Sequence, residues 1–461
     1  MRGAMLTRRE MLQTMGAGFG MLAASDLLAA DAVANPLAPR TPHFAPSARH
    51  VIFLFLNGGP SQVDTFDPKP LLSRFHGKPM PVANPGTERK TGTLLQSPFA
   101  FKRFGESGIE VSEIFSRVAA HIDDICVIRS MVTDLPSHEP SLFMLNCGDR
   151  LAGRPSMGSW LIYGLGTDNQ NLPGFVVLCP GQPVIGPQLW TSAFLPGIYQ
   201  GSYIPNNERE IDKLLPNIRN RDVAPGTQRR QLDLVAQLNR LRAPRTSDVQ
   251  LDASIQAAEL AFRMQREAPE VIDITKDDAR ARERYGDTEF GRGCLMARRL
   301  VERGVRMVQV YFGDNQPWDN HDDITIHERL AASADRAIAS LLEDLKATGL
   351  LQETIVLVGG EFGRTPTVEV SGLVKMQNGR DHNHHGFSML VAGGGFKGGM
   401  TYGATDDFGF KAIDRPVHPH DLHATILHCL GLDHRKLTYR YSGRDFRLTD
   451  VSGTVIKDIL A

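Results

Sequence analysis

Between Trp318 and His385 the chain gathers acids and imidazoles at a density that suits a divalent cation. Trp318-Asp319-Asn320-His321-Asp322-Asp323 opens the stretch, Gly359-Gly360-Glu361-Phe362-Gly363-Arg364 stands at its middle, and Gly379-Arg380-Asp381-His382-Asn383-His384-His385 closes it. Ten of the fifteen histidines lie at or after His321. Carboxylate oxygen and imidazole nitrogen together suit zinc, manganese or calcium. Asp319, His321, Glu361, Asp381, His382 and His385 are therefore the expected metal ligands, with Asp64 as a further candidate. Asp67 is a weaker one, because Asp before Pro commonly forms a turn. Arg364 offers Glu361 a different partner, in which case the pair is a buried ion pair and not part of a metal site.

Ligands need rigid elements beneath them. Val51 to Leu56 is apolar at every position, the pattern of a strand buried on both faces of a parallel sheet. It breaks at Asn57-Gly58-Gly59-Pro60-Ser61, where glycine lets the backbone approach a ligand closely. Further short apolar runs at 125–131, 175–178, 305–312, 355–358 and 388–391 alternate with helical patterns. That alternation predicts an α/β fold, a mostly parallel sheet flanked by helices. Thr354 to Val358 delivers Glu361 from such a strand. The spacing from His327 to Thr348 predicts a helix with one apolar stripe, on whose first turn His327 reaches toward the site. Residues 206–303 are richer in Glu and Arg and read as a helical insertion with a solvated charged face. Gly393 to Gly399 lacks phosphate-loop spacing and reads as a wide turn. His418 and His420 stand at a helix start, where capping competes with metal binding.

A hydrophobic fraction of 41% and a charged fraction of 22% belong to a soluble globular chain. Net charge −1 gives no reason to expect nucleic acid as partner. The five cysteines have no CxxC spacing and read as small buried hydrophobes. Residues 1–34 read as a twin-arginine signal peptide: Thr7-Arg8-Arg9-Glu10-Met11-Leu12 precedes a weakly hydrophobic, Gly-containing stretch and small-residue cleavage sites. The stretch is too short for a confident membrane span, so no stable insertion is expected after cleavage. A periplasmic or extracellular location follows, with 45–461 as one α/β domain. The sequence carries no signal for oligomeric state.

The leader, NGGPSQVDTFDPKP, WDNH, GGEFGRTP, GRDH and the GGGFKGG run together resemble the sulfatase-like family of exported proteins called domain of unknown function 1501. The family is placed in the alkaline-phosphatase superfamily. The resemblance implies a two-metal α/β fold acting on phosphate or sulfate esters, with a small-molecule or polysaccharide ester as substrate. This chain departs from the superfamily pattern in three places. Asn57 stands where a metal-binding Asp usually ends the first strand, and Glu361-Phe362 stands for an Asp-His pair. His138-Glu139-Pro140-Ser141-Leu142 resembles the sulfatase Cys-x-Pro-Ser-Arg motif with His138 for the oxidisable Cys and Leu142 for the Arg. Formylglycine chemistry has no Cys to start from, so attack would come from metal-activated water or from Ser137 or Ser141; His138, Ser137 and Ser141 are the candidate catalytic residues. The alternative is a degenerate member that binds a polysaccharide or surface polymer without turnover.

Overall fold

A computed structural model describes residues 35–82, 86–220, 222–242 and 249–461, so the leader expected over 1–34 lies outside the described residues. The apolar run after His50 becomes an inner strand, because neither of its faces could be left in water. Eleven strands carry the argument: β1 (His50–Phe55), β2 (Thr91–Leu94), β3 (Ile125–Met131), β4 (Phe175–Leu178), β5 (Ser202–Ile204), β6 (Met307–Tyr311), β7 (Thr354–Gly359), β8 (Gly363–Glu369), β9 (Arg380–Asn383), β10 (Phe387–Ala392) and β11 (Met400–Tyr402). Eight of them form one sheet in the order β11-β3-β10-β7-β1-β6-β4-β5. Pairings are parallel except those of β10, which runs against both β3 and β7. The remaining three, β9-β8-β2, make a small antiparallel sheet off the end of β7.

Alternation along the strands builds two cores. Ile52, Leu54, Val308, Val310, Val356 and Val358 face one layer of helices, and Val51, Phe53, Phe55, Tyr311, Ile355 and Leu357 face the other. The first layer includes α5 (Glu289–Glu302) and α6 (Ile326–Ala347), and the second α1 (His138–Cys147), α2 (Met157–Leu165) and α7 (Pro419–Cys429). Each large buried side chain contributes roughly 1.5–3 kcal/mol, so the sheet is held firmly along its length. Rigid strands ending at one edge are what a metal site needs.

The charged segment expected to be an insertion divides in two. Helices α3 (Pro225–Arg242) and α4 (Val249–Ile272) form a hairpin beside the sheet. Helix α5, also within the 206–303 span, instead covers the sheet with Cys294, Leu295, Ala297 and Leu300 buried. All five cysteines are buried and free. Among the described residues no helix is long and apolar enough to cross a membrane.

His423 on α7 gives the fold a measurable pH dependence. Its Nε2 donates to the Leu145 carbonyl at 2.8 Å, while its Nδ1 meets no partner. Burial, helped by the neighbouring His420, lowers the imidazole to about 3. An unfolded imidazole titrates near about 6.5, so the unfolded chain binds this proton first as pH falls. The neutral ring therefore stabilises the fold above about pH 6.5, and that stability drains away as pH falls toward 3. In His423→Gln the melting temperature should fall less between pH 7 and pH 4 than in the parent; equal slopes would show that the ring is not held neutral.

Candidate metal centre

Three loops meet at the carboxyl ends of β1 and β7. Asn57 ends the first of these strands, and its side-chain amide donates to the Gly313 carbonyl at 3.0 Å and to that of Asn315. It thereby ties the strand end to the loop that brings in Asp319. Gly58 must be glycine. Its φ is +114°, and a Cβ there would stand 2.6 Å from the Asp319 nitrogen. The Gly58 N–H donates to the Glu361 carboxylate at 3.0 and 3.2 Å, so Glu361 is fixed by the backbone of the neighbouring loop. The antiparallel register of β8 and β9 sets Arg364 opposite His382 and Val368 opposite Arg380.

Three imidazoles converge here, and each has its outer nitrogen occupied by a different carboxylate. His138, first residue of α1, meets Glu361 through Nδ1 at 2.7 Å. His321 meets Glu369 through Nδ1, and His382 meets Glu88 in the same way. A carboxylate only accepts, so each Nδ1 carries a proton, and in its neutral form each ring turns an Nε2 lone pair inward. Those lone pairs gather on Asp319. His321 Nε2 lies 2.8 Å and His382 Nε2 3.1 Å from its Oδ1, and His138 Nε2 lies 3.4 Å from Oδ2. The Nε2 atoms of His321 and His382 are 3.0 Å apart, and His138 Nε2 has no hydrogen-bond partner among the described residues. Acceptors facing acceptors repel unless a cation or a proton stands among them.

Three of the donor atoms, Asp319 Oδ1 and the Nε2 atoms of His321 and His382, lie 2.8 to 3.1 Å apart, as the ligands of one zinc ion would. Four donors around an ion with bonds of about 2.0 Å lie about 3.3 Å from one another. Protein-held carboxylates on the far ring nitrogens are the usual support of metal-bound histidine. His138, Asp319 and His382 present ligating atoms within 4.8 Å of one another; Glu88, Asp381 and His382, and His321, Glu369 and Asp381, form two further such groups. Asp381 accepts the Arg89 N–H at 2.7 Å on one oxygen, while its other, buried oxygen has no partner among the described residues. Counting Glu88, Asp319, Glu361, Glu369 and Asp381 against Arg89 and Arg364, the site holds five carboxylates and two guanidinium groups. That deficit of positive charge favours a cation.

The same contacts shift titrations. Burial alone would raise the Asp319 carboxyl, but the Arg364 guanidinium at 2.5 Å and the three imidazoles outweigh it and hold the group far below the usual carboxylate range. Burial alone would lower His138, yet its contacts to Asp319 and Glu361 more than reverse this and raise it. The hydrogen bond to His382 lowers Glu88.

Residues 48–460 match the model of a family described as protein of unknown function (DUF1501). The chain belongs to this family. No curated protein matches it. Among solved structures, this DUF1501 chain is similar to a sulfatase from Pseudoalteromonas sp., at 11% identity over 85% of this chain and 68% of that one, with a TM-score of 0.34. It is also similar to a phosphonate monoester hydrolase from Silicibacter pomeroyi, at 12% identity over 69% and 68% of the two chains, with a TM-score of 0.32. Alkaline phosphatase from the Antarctic bacterium TAB5 gives 11% identity, 84% and 99% coverage, and a TM-score of 0.34. Likenesses this remote carry no argument about substrate or reaction.

Of the residues read from the sequence of this DUF1501 protein, Asp319, His321, Glu361, Asp381, His382 and His138 come together. His138 faces inward as a ligand would, not as an attacking group. Arg364 pairs with Asp319 and not with Glu361, whose partners are His138 and the Gly58 N–H. Asp64 lies elsewhere: Arg380 grips both its oxygens, at 2.7 and 3.1 Å, and both side chains are wholly buried. Asp67 pairs with Lys69 at 3.0 Å and receives the Thr405 hydroxyl. His385 stacks on His384 with centroids 3.9 Å apart and joins none of the ligating groups among the described residues. Ser141 donates to the Leu135 carbonyl at 2.7 Å and is turned away. Ser137 precedes α1 without capping it, and its hydroxyl stands 3.4 Å from Glu88.

His327 does not reach the metal donors. It is buried between the Ser61 N–H, which donates to Nε2 at 3.1 Å, and Asn320, 2.9 Å from Nδ1. His418 caps α7. Glu88 and Glu369, which hold His382 and His321, are not among the residues read from the sequence. Glu369 left one trace, an acid within the otherwise uncharged strand run Thr365-Pro366-Thr367-Val368-Glu369-Val370; Glu88, in a polar loop, left none.

Proposed function

We propose that this protein is an exported, metal-dependent hydrolase of phosphate or sulfate esters. The observation that carries the reading is the convergence of three Nε2 lone pairs on Asp319, each ring held from behind by its own carboxylate. His138, His321, His382 and Asp319 would hold the ion, and three imidazoles with one carboxylate favour zinc or manganese over calcium. A divalent ion in such a place polarises an ester oxygen and makes water a stronger acid. The chain's own residues supply the rest. Arg364 keeps Asp319 ionised, and Glu361, Glu369 and Glu88 fix the three rings. Arg89, partly exposed beside Glu369 at 3.4 Å, offers a positive charge at the rim for an anionic ester. Ser137 beside Glu88 is the protein hydroxyl placed to attack; water is the other nucleophile.

A panel of phosphate monoesters, phosphate diesters and sulfate esters tests this. Turnover of one class should fall at least about a hundredfold in His382→Gln, with the circular dichroism of the parent retained. Turnover that survives that substitution would place the chemistry elsewhere. A second reading, a binding protein without turnover, draws support from Asn57 and Ser141, which are both committed to backbone carbonyls. Tight polysaccharide binding with no turnover of any ester would favour it. Export rests on the leader, and retention of an Arg8→Lys, Arg9→Lys variant in the cytoplasm would support it.

A further inference from the structure

The α3–α4 hairpin is inside out. Its two helices meet through polar groups: Arg229 pairs with Glu259 at 2.8 Å, Asn239 bonds Asp252 at 2.7 Å and Gln265 bonds Gln228 at 3.1 Å. Four of the five large apolar side chains of α3 point to solvent instead, Leu232 being half-buried. Leu234 is 55% exposed, Val235 43%, Leu238 57% and Leu241 75%. Their spacing of one, four and seven residues puts them on one stripe about 10 Å long. Scattered exposed leucines need no explanation, but a stripe at helical period beside a polar seam does.

We propose that α3 docks on an anionic lipid surface, lying in its interface without crossing it. Charge complementarity selects this occupant. Arg229 is paired with Glu259 and Asp233, and the sequence of the helix adds Arg230, Arg240 and Arg242 with no further acid, three basic residues in a chain whose net charge is −1. An apolar stripe on a basic helix is the pattern of interfacial binding. Two copies of such a helix packed together would bring like charges close, which disfavours self-association through this face. Position agrees as well. Glu267 of α4 bonds Asn169 at 2.6 Å, and Asn169 bonds the Arg303 carbonyl just before β6, so the hairpin is rooted at the amino ends of the parallel strands, away from the metal centre. Asn35, where the described chain begins, bonds Gln170 on the same edge at 2.6 Å.

The test uses the full chain and vesicles of phosphatidylglycerol with phosphatidylethanolamine, or of phosphatidylcholine alone, in co-sedimentation. The parent should partition onto the anionic vesicles at least about tenfold better than onto the neutral ones. A Leu234→Gln, Leu238→Gln, Leu241→Gln variant should lose at least about tenfold of that binding with its melting temperature unchanged, since the three side chains are exposed. Comparing the two full chains isolates α3 from any binding by the leader. Equal binding by parent and variant overturns the proposal. So does a stable dimer of the parent in light scattering that the triple variant alone dissolves, because the stripe is then a subunit interface.

Discussion

Asp319→Asn should empty the metal centre and lower stability together, because one carboxylate serves two masters. It is the point on which His138, His321 and His382 converge, and it is the ionic partner of Arg364 at 2.5 Å. Arg364 is wholly buried and otherwise donates only to backbone carbonyls, those of Gly58, Gly59, Trp318 and Arg380. Removing one member of a buried ion pair costs about 3–5 kcal/mol, because the other charge is left uncompensated. Asparagine restores a dipole but no charge, so the expected loss is near the lower end. His382→Gln makes the separation clean: bound metal should fall while the Asp319–Arg364 pair and most of the stability remain. Thermal melts and elemental analysis of both variants check this. Metal lost in Asp319→Asn but retained in His382→Gln would mean that the imidazoles are not ligands.

Asp64→Ala should destabilise the fold by about 3–5 kcal/mol and leave the metal content of the folded protein unchanged. The sequence made Asp64 a metal candidate. In the structure it closes a bidentate pair with Arg380, both side chains wholly buried, and also accepts the Ser61 hydroxyl. A fork-to-fork guanidinium–carboxylate pair of this kind is geometrically demanding, so Asp64→Asn should also be costly. Arg380 further donates to the Thr365 and Leu95 carbonyls, which links β1's loop to both β8 and β2. Denaturant unfolding of the two variants gives the cost. If Asp64→Asn instead melts like the parent and loses metal, Asp64 is a ligand.

Most of the sheet could be read before the structure because parallel strands advertise themselves. Residues 51–56 and 175–178 are apolar without alternation, and this follows from burial on both faces. The α3–α4 hairpin could not be read that way. Its leucines fall at helical period, which reports a face but not whether that face turns inward. In the site, the residues from the sequence reading that come together sit in dense local groups, Asp319 with His321 and Asp381 with His382. What stayed hidden is long-range. Glu369, at the end of β8, meets His321 across 48 residues of sequence, and Glu88 reaches His382 across 294. Asp64 is a candidate because it follows the glycine turn after the first strand, and Ser141 because His138 to Leu142 resembles the sulfatase motif; the structure shows that Arg380 and the Leu135 carbonyl hold them.

The central claim is that three imidazoles and Asp319 surround a divalent ion. Elemental analysis of the folded protein, purified without chelator from metal-replete culture, addresses it most directly. The arrangement predicts about one equivalent or more of divalent metal per chain, with zinc or manganese foremost, removable by chelator with a fall in melting temperature. Less than about a tenth of an equivalent in a folded sample, unchanged after incubation with zinc, manganese or calcium, would contradict it and leave the three rings to be held by protons.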